Sequence, residues 1–210
     1  MYRKRLLNVI ALKFILLLTL ISINLNVFAN DILPWTYKRN VGDLRMQTMV
    51  SAANLYSHRI NETFFLWNGI SLPRISSNTY TPNNNSLGYE FEVKAQPLTG
   101  TTLAYCGIYT RHWWGNQTRD IKSYTGQIDF AEIVLDSRND SIYRLINQTH
   151  ERQRKTITHE IGHALALDHL ADLSIYAIMQ QGFGPYPNYP NAALTIQQHD
   201  RNNLIAKWAN

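Results

Sequence analysis

A chain of 210 residues, 45% hydrophobic and 17% charged, has the composition of one globular domain, which excludes a disordered or fibrous protein. Its formal charge of +5 is unevenly placed, because four of the 20 basic residues and none of the 15 acidic ones fall in the first 29 positions. The remainder is left at a net +1, which gives no reason to invoke nucleic acid or an acidic membrane surface as a partner.

Residues 1–29 read as a secretory signal peptide. Arg3, Lys4, Arg5 and Lys13 form a basic start, residues 14–23 a mostly apolar run, and Val27-Phe28-Ala29 an A-x-A-like cleavage pattern. A helix over that run spans ~15 Å, whereas a bilayer core needs about 30 Å. Extending it upstream would bury Lys13, and downstream Asn24 and Asn26. The expectation is cleavage, a mature domain of residues 30–210, no stable membrane insertion afterwards, and a secreted or periplasmic location. The single cysteine, Cys106, allows no internal disulfide, and in its strand-like surroundings it reads as a buried apolar residue.

Along the mature chain, residues 35–39 suggest a short strand. Residues 44–55 show helical periodicity, with Leu44, Met46, Val50, Ala53 and Leu55 facing inward and residues 58–61 closing the helix. Residues 64–67 are apolar and strand-like. Residues 71–88, rich in Ser, Asn and Pro, read as an exposed loop. Residues 90–94, 102–110 and 127–135 are strands separated by a polar loop at 111–124 that contains Trp113 and Trp114. Those two indoles either line a cleft or cap the sheet. A turn at 136–140, a helix within 141–167, a proline-marked irregular segment and a last helix over 195–207 complete the pattern. Strands precede helices without regular βαβ spacing, so the fold class is α+β.

Residues 159–169 read His-Glu-Ile-Gly-His-Ala-Leu-Ala-Leu-Asp-His. Four residues separate His159 from His163, which puts both imidazoles on one face of a helix and within reach of one ion. Glu160 stands beside them as a base for a bound water. Ile157, Ile161 and Leu165 form a separate row for the core. On a continuous helix His169 would point about 120° away from His163 and ~9 Å further along, so the helix must stop and the chain must reverse for it to join them. Three histidines leave a fourth position open, as in a catalytic zinc site; a structural site would be closed, usually by cysteines. His150 has Arg154, not a ligand, four residues on, and reads as part of a solvated helix face. His58, His112 and His199 have no partner at ligand spacing.

This segment resembles the metzincin metallopeptidases, whose signature is HExxHxxGxxH followed by a methionine turn. Met179, ten residues after His169, suits that turn as a structural residue beneath the metal. Residues 158–165 and 194–200 look most like the matrixins and their bacterial relatives. The resemblance implies a twisted mixed sheet with two long helices, an active-site helix, the Met-turn and a small C-terminal subdomain ending in a helix. It implies one catalytic Zn2+ on His159, His163 and His169, Glu160 as general base, a protein or peptide substrate, and a monomer. It places pocket-wall residues at Phe183, Tyr186 and Tyr189; a structural Ca2+ has no readable ligands. The sequence departs from the family at Ala166, where the turn glycine is expected, at Leu170, where several branches carry a branch-specific residue, and in having no room for a prodomain. The function implied is a secreted zinc-dependent endopeptidase. Two other functions stay open: a zinc hydrolase of a non-protein amide such as a cell-wall crosslink, and a non-catalytic zinc-dependent binding protein.

Overall fold

The computed structural model describes residues 31–70, 73–81, 89–182 and 193–209. Its framework is a six-stranded mixed sheet. In chain order the elements are β1 (Thr36–Tyr37), β2 (Leu44–Met49), α1 (Val50–Thr63), β3 (Ile75–Thr81), β4 (Phe91–Gln96), β5 (Ala104–His112), β6 (Gly115–Arg119), β7 (Gln127–Ile128), β8 (Phe130–Asp136), α2 (His150–Ala164) and α3 (Gln198–Trp208). The large sheet runs β3-β2-β4-β8-β5-β6, and β1 pairs separately with β7. The first four strands are parallel; β5 runs antiparallel to β8 and to β6. The α+β class, the mixed sheet, the two long helices and the terminal helix match expectation.

Register explains the core. Met46, Phe91, Ala131 and Ile108 form one row across the sheet, and Thr48, Val93, Ile133 and Cys106 the next. Most of these side chains are buried, and α1 and α2 pack over this face and against each other. The opposite face carries a polar row, Gln47, Glu92, Glu132 and Gly107. Gln47 there donates to Glu92 at 2.6 Å, and Lys94 pairs with Glu132 at 2.9 Å. Among the described residues no helix is long and apolar enough to cross a membrane.

Four sequence expectations are corrected. Residues 44–49 are a strand, not the start of a helix, because Leu44, Met46 and Thr48 alternate inward on a central strand. The helix starts at Val50 and turns Ala52, Tyr56, Ile60 and Thr63 inward, leaving Val50 and Leu55 exposed. Residues 64–67 form turns rather than a strand; Trp67 is buried while Phe65 and Leu66 face solvent. Strand β3 occupies part of the expected loop at 71–88, and β6 occupies part of the expected loop at 111–124. Both are polar edge-side strands whose composition hides their pairing.

Candidate metal centre

Helix α2 begins at a capped end, where Thr149 Oγ1 accepts from Arg152 N. From Lys155 to Ala164 every residue is buried. Ile157, Ile161 and Leu165 are fully buried in the core, as their spacing predicts. Gly162 is required by packing: a Cβ there would stand 2.4 Å from Met179 Sδ and 3.0 Å from the Trp67 ring. Met179 thus lies directly against the ligand helix. Trp67 is held in turn by its indole N–H, which donates to Thr158 O at 3.1 Å.

The helix ends where His169 needs it to end. Ala166 has φ 66°, the one non-glycine residue with positive φ among those described. Ala166 N donates to His163 O and Leu167 N to Gly162 O, each at 3.0 Å, which is the paired bonding of a Schellman cap. Ala166 therefore makes the left-handed turn that a glycine was expected to make, at a cost of about 1 kcal/mol in backbone strain. The carbonyls of the three residues at the helix end each have a partner. Tyr37 OH donates to Ala164 O at 2.7 Å, Trp208 Nε1 to Leu165 O at 2.9 Å and Leu33 N to Ala166 O at 2.8 Å. Asp31 fixes the segment after the turn: its carbonyl accepts from Asp168 N at 3.0 Å and its carboxylate from Ala171 N at 3.2 Å.

The reversal brings three imidazoles together. The Nε2 atoms of His159 and His163 each lie 3.0 Å from Nε2 of His169, and the three form a group whose donor atoms all fall within 4.8 Å. His159 Nδ1 lies 2.8 Å from Ile178 O, and His163 Nδ1 2.8 Å from Leu167 O. A carbonyl only accepts, so both Nδ1 atoms carry protons and both Nε2 atoms present lone pairs to His169. One proton on His169 cannot satisfy two such neighbours. Burial holds all three imidazoles below their ordinary pKa, His163 at about 4, so they stay neutral. Neutral imidazoles with converging Nε2 atoms, two of them oriented through Nδ1, fit a divalent cation.

Glu160 lines the same cleft of about 890 Å³. Among the described residues nothing donates a hydrogen bond to its carboxyl, and burial pushes it up to about 8, with nearby Lys155 pulling the other way. Cys106 also lines the cleft and is half-buried, not fully buried as its surroundings in sequence suggested. Trp113 and Trp114 are exposed at the tip between β5 and β6, neither in the cleft nor capping the sheet. Phe183, Tyr186 and Tyr189 lie outside the described residues.

Two residues near the site escaped the sequence reading. Asp200, fully buried on α3, accepts from Ile178 N at 2.9 Å, Met179 N at 3.1 Å and Gln197 N at 2.8 Å, and so holds the methionine turn by its backbone. Lys155, four residues before His159, donates to Gln180 O at 3.0 Å and Gly182 O at 2.7 Å. Its place in the same i, i+4, i+8 row as His159 and His163 was the available signal.

No protein-family model matches the sequence, and no curated protein sequence is similar to it. Solved structures with a distant likeness include the following two. High choriolytic enzyme 1, a hatching-enzyme zinc protease from the medaka Oryzias latipes, is 13% identical over 81% of this chain and 92% of its own, with a TM-score of 0.38. Archaemetzincin from Methanopyrus kandleri is 12% identical over 80% of this chain and 96% of its own, with a TM-score of 0.44.

Proposed function

We propose that this chain is a zinc-dependent endopeptidase of metzincin type, exported after removal of residues 1–29, with His159, His163 and His169 as ligands and Glu160 as general base. The observation that carries the reading is the convergence of three imidazole Nε2 atoms beside a buried carboxyl in an open cleft. Zinc held there would supply a Lewis acid that acidifies a water, polarises a carbonyl and draws Glu160 toward its carboxylate form. Glu160 then takes a proton from the attacking water and passes it to the departing amine nitrogen as the peptide bond breaks.

The sheet edge supports a peptide substrate. Strand β6 pairs only with residues 108–112 of β5, so residues 104–107 are paired on the β8 side alone among the described residues. Leu103 O accepts from Asp136 N at 2.9 Å, which sets the alternation. By that alternation Tyr105 and Gly107 spend their backbone groups on β8, while Ala104 and Cys106 turn theirs to the open edge. Leu103, Ala104, Tyr105 and Cys106 line the cleft with the ligand helix. An extended peptide added here gains main-chain hydrogen bonds and lies across Glu160. A zinc-dependent binding protein would have no use for a base in this place.

The test is hydrolysis of casein by the purified protein, with and without a zinc chelator, beside Glu160→Gln. Chelator-sensitive cleavage that falls by roughly a thousandfold in the variant, with zinc content kept, is expected. Undiminished cleavage by the variant rejects Glu160 as base. Zinc retained with casein untouched shifts the reading to a narrow-substrate amidase, such as one acting on a cell-wall crosslink.

A further inference from the structure

We propose that the hairpin of β5 and β6 is a docking wedge for an anionic bilayer surface, a second binding function separate from the metal centre. Strand β6 is the edge of the sheet, and residues 113–118 are all exposed. Trp113 is 93% exposed and Trp114 66%, adjacent in sequence at the tip. An indole carries roughly 150–250 Å² of largely apolar surface, and two left in water together mark an interaction site more than a chance exposure.

The rings are held in a particular arrangement. Trp114 stacks on His112 with centroids 4.6 Å apart and planes 8° apart, while Trp113 meets Trp114 edge-on at 5.3 Å and 86°. One face of Trp114 is thus covered and the pair is perpendicular. That makes a wedge, not the flat open platform on which sugar rings stack. Residues 111–119 themselves carry charge of one sign only. Arg111 and Arg119 bracket the tip, and no acidic residue lies between them in sequence. Arg119 Nε donates to Thr110 Oγ1 at 3.0 Å, and the Arg111 guanidinium lies 4.8 Å over the Phe130 ring, so both cations are fixed at the base of the wedge. The flanking carboxylates are already engaged. Asp129 pairs with Lys38 at 2.6 Å, and Asp120 accepts from Lys122 N and Ser123 N.

Indoles seated at headgroup depth above flanking arginines are the chemistry of an interfacial anchor on anionic lipid. The net charge of +1 over residues 30–210 conceals this, because the cations of the hairpin are balanced by acids elsewhere. Trp113 lies seven residues along β5 and its turn from Cys106, ~23 Å in extended chain, so docking leaves the cleft open.

Flotation with phosphatidylcholine vesicles, with or without phosphatidylglycerol, tests the proposal on the processed protein. Wild type and variants carry the same N-terminus, so any contribution from that end cancels. The protein is expected to float with the phosphatidylglycerol vesicles and to be released by salt. Trp113→Ala/Trp114→Ala should weaken binding by about tenfold or more. Arg111→Gln and Arg119→Gln should each weaken it by roughly fivefold. Casein cleavage and thermal midpoint should be unchanged in the tryptophan variant, whose side chains are exposed. No binding by wild type, equal binding to neutral vesicles, or full binding by the tryptophan variant overturns the proposal. So does tryptophan-dependent binding to an insoluble polysaccharide without binding to vesicles, which would make the wedge a glycan reader.

Discussion

Two groups of histidines on helices α1 and α2 show what separates a ligand from an ordinary imidazole. At the buried end of α2, His159 and His163 bond backbone carbonyls through Nδ1 and turn Nε2 toward His169. At the exposed end, His150 Nε2 lies 2.7 Å from Glu62, and His58 Nε2 lies 3.2 Å from the same carboxylate. A carbonyl holds a neutral ring in one tautomer and leaves the other nitrogen bare. A carboxylate instead takes up the Nε2 atom, and Glu62 is itself held below its ordinary pKa, chiefly by the bond from His150. The ring chemistry is the same in both groups; the partner on the second nitrogen and the depth of burial decide what it does.

The largest expected contrast is in metal and activity. His163→Ala should lose bound zinc and lose casein cleavage by a hundredfold or more, as second-best ligation is already outside the productive geometry. His150→Ala should keep both and change stability by less than ~0.5 kcal/mol. Zinc loss in His150→Ala, measured by elemental analysis, would erase the distinction.

Next come the contacts that build the buried group. Asp200→Ala strips two backbone N–H groups at the methionine turn and one at the start of α3 of their acceptor. A loss of ~3 kcal/mol in urea unfolding is expected, together with weaker zinc binding, because Met179 packs on Gly162 within the ligand helix. A change below 1 kcal/mol would show that the turn holds without α3.

An acid titration sharpens the comparison further. His163 sits near 4 when folded against 6.5 for the free side chain, so the unfolded chain binds more protons between those values. Stability of the metal-free protein therefore falls as pH drops through that window, by ~3 kcal/mol from this residue. Glu160, raised from 4.5 to about 8, has the opposite sign: it stabilises the folded state at low pH and loses that contribution as pH rises. Measuring the metal-free Glu160→Gln protein removes the opposing contribution, and no acid-side decline there would contradict buried neutral histidines.

The smallest effect is the most local. Ala166→Gly should raise stability by ~0.5–1 kcal/mol, since relief of the left-handed strain exceeds the added freedom of the unfolded chain. A loss would mean that Ala166 is held by packing of its methyl and not merely tolerated.

The ligand helix and its reversal were legible in sequence because their signal is periodic and chemical: histidines four apart, an isoleucine row, and a third histidine that demands a turn. The α+β class followed from element order. The segment 44–49 was misread because Leu44, Met46 and Val50 satisfy a helical template, while only pairing with β3 and β4 selects period two. Strand β6, Gly-Asn-Gln-Thr-Arg, has no apolar residue to announce it and exists through pairing with β5. Asp200 and Trp67 act on elements far away in sequence, so no local pattern could assign them. The wedge at Trp113 and Trp114 shows the same limit: composition gave two indoles, and only the hairpin set them perpendicular at an exposed tip.

The central claim is that the three converging imidazoles form one zinc site. Zinc-edge X-ray absorption on metal-free protein reconstituted with one equivalent of zinc tests it most directly. Three nitrogen scatterers at about 2.0–2.1 Å, with no sulfur shell from Cys106 and with loss of the bound metal in His169→Ala, are expected. A sulfur scatterer at about 2.3 Å, or metal bound equally well without His169, would contradict the site.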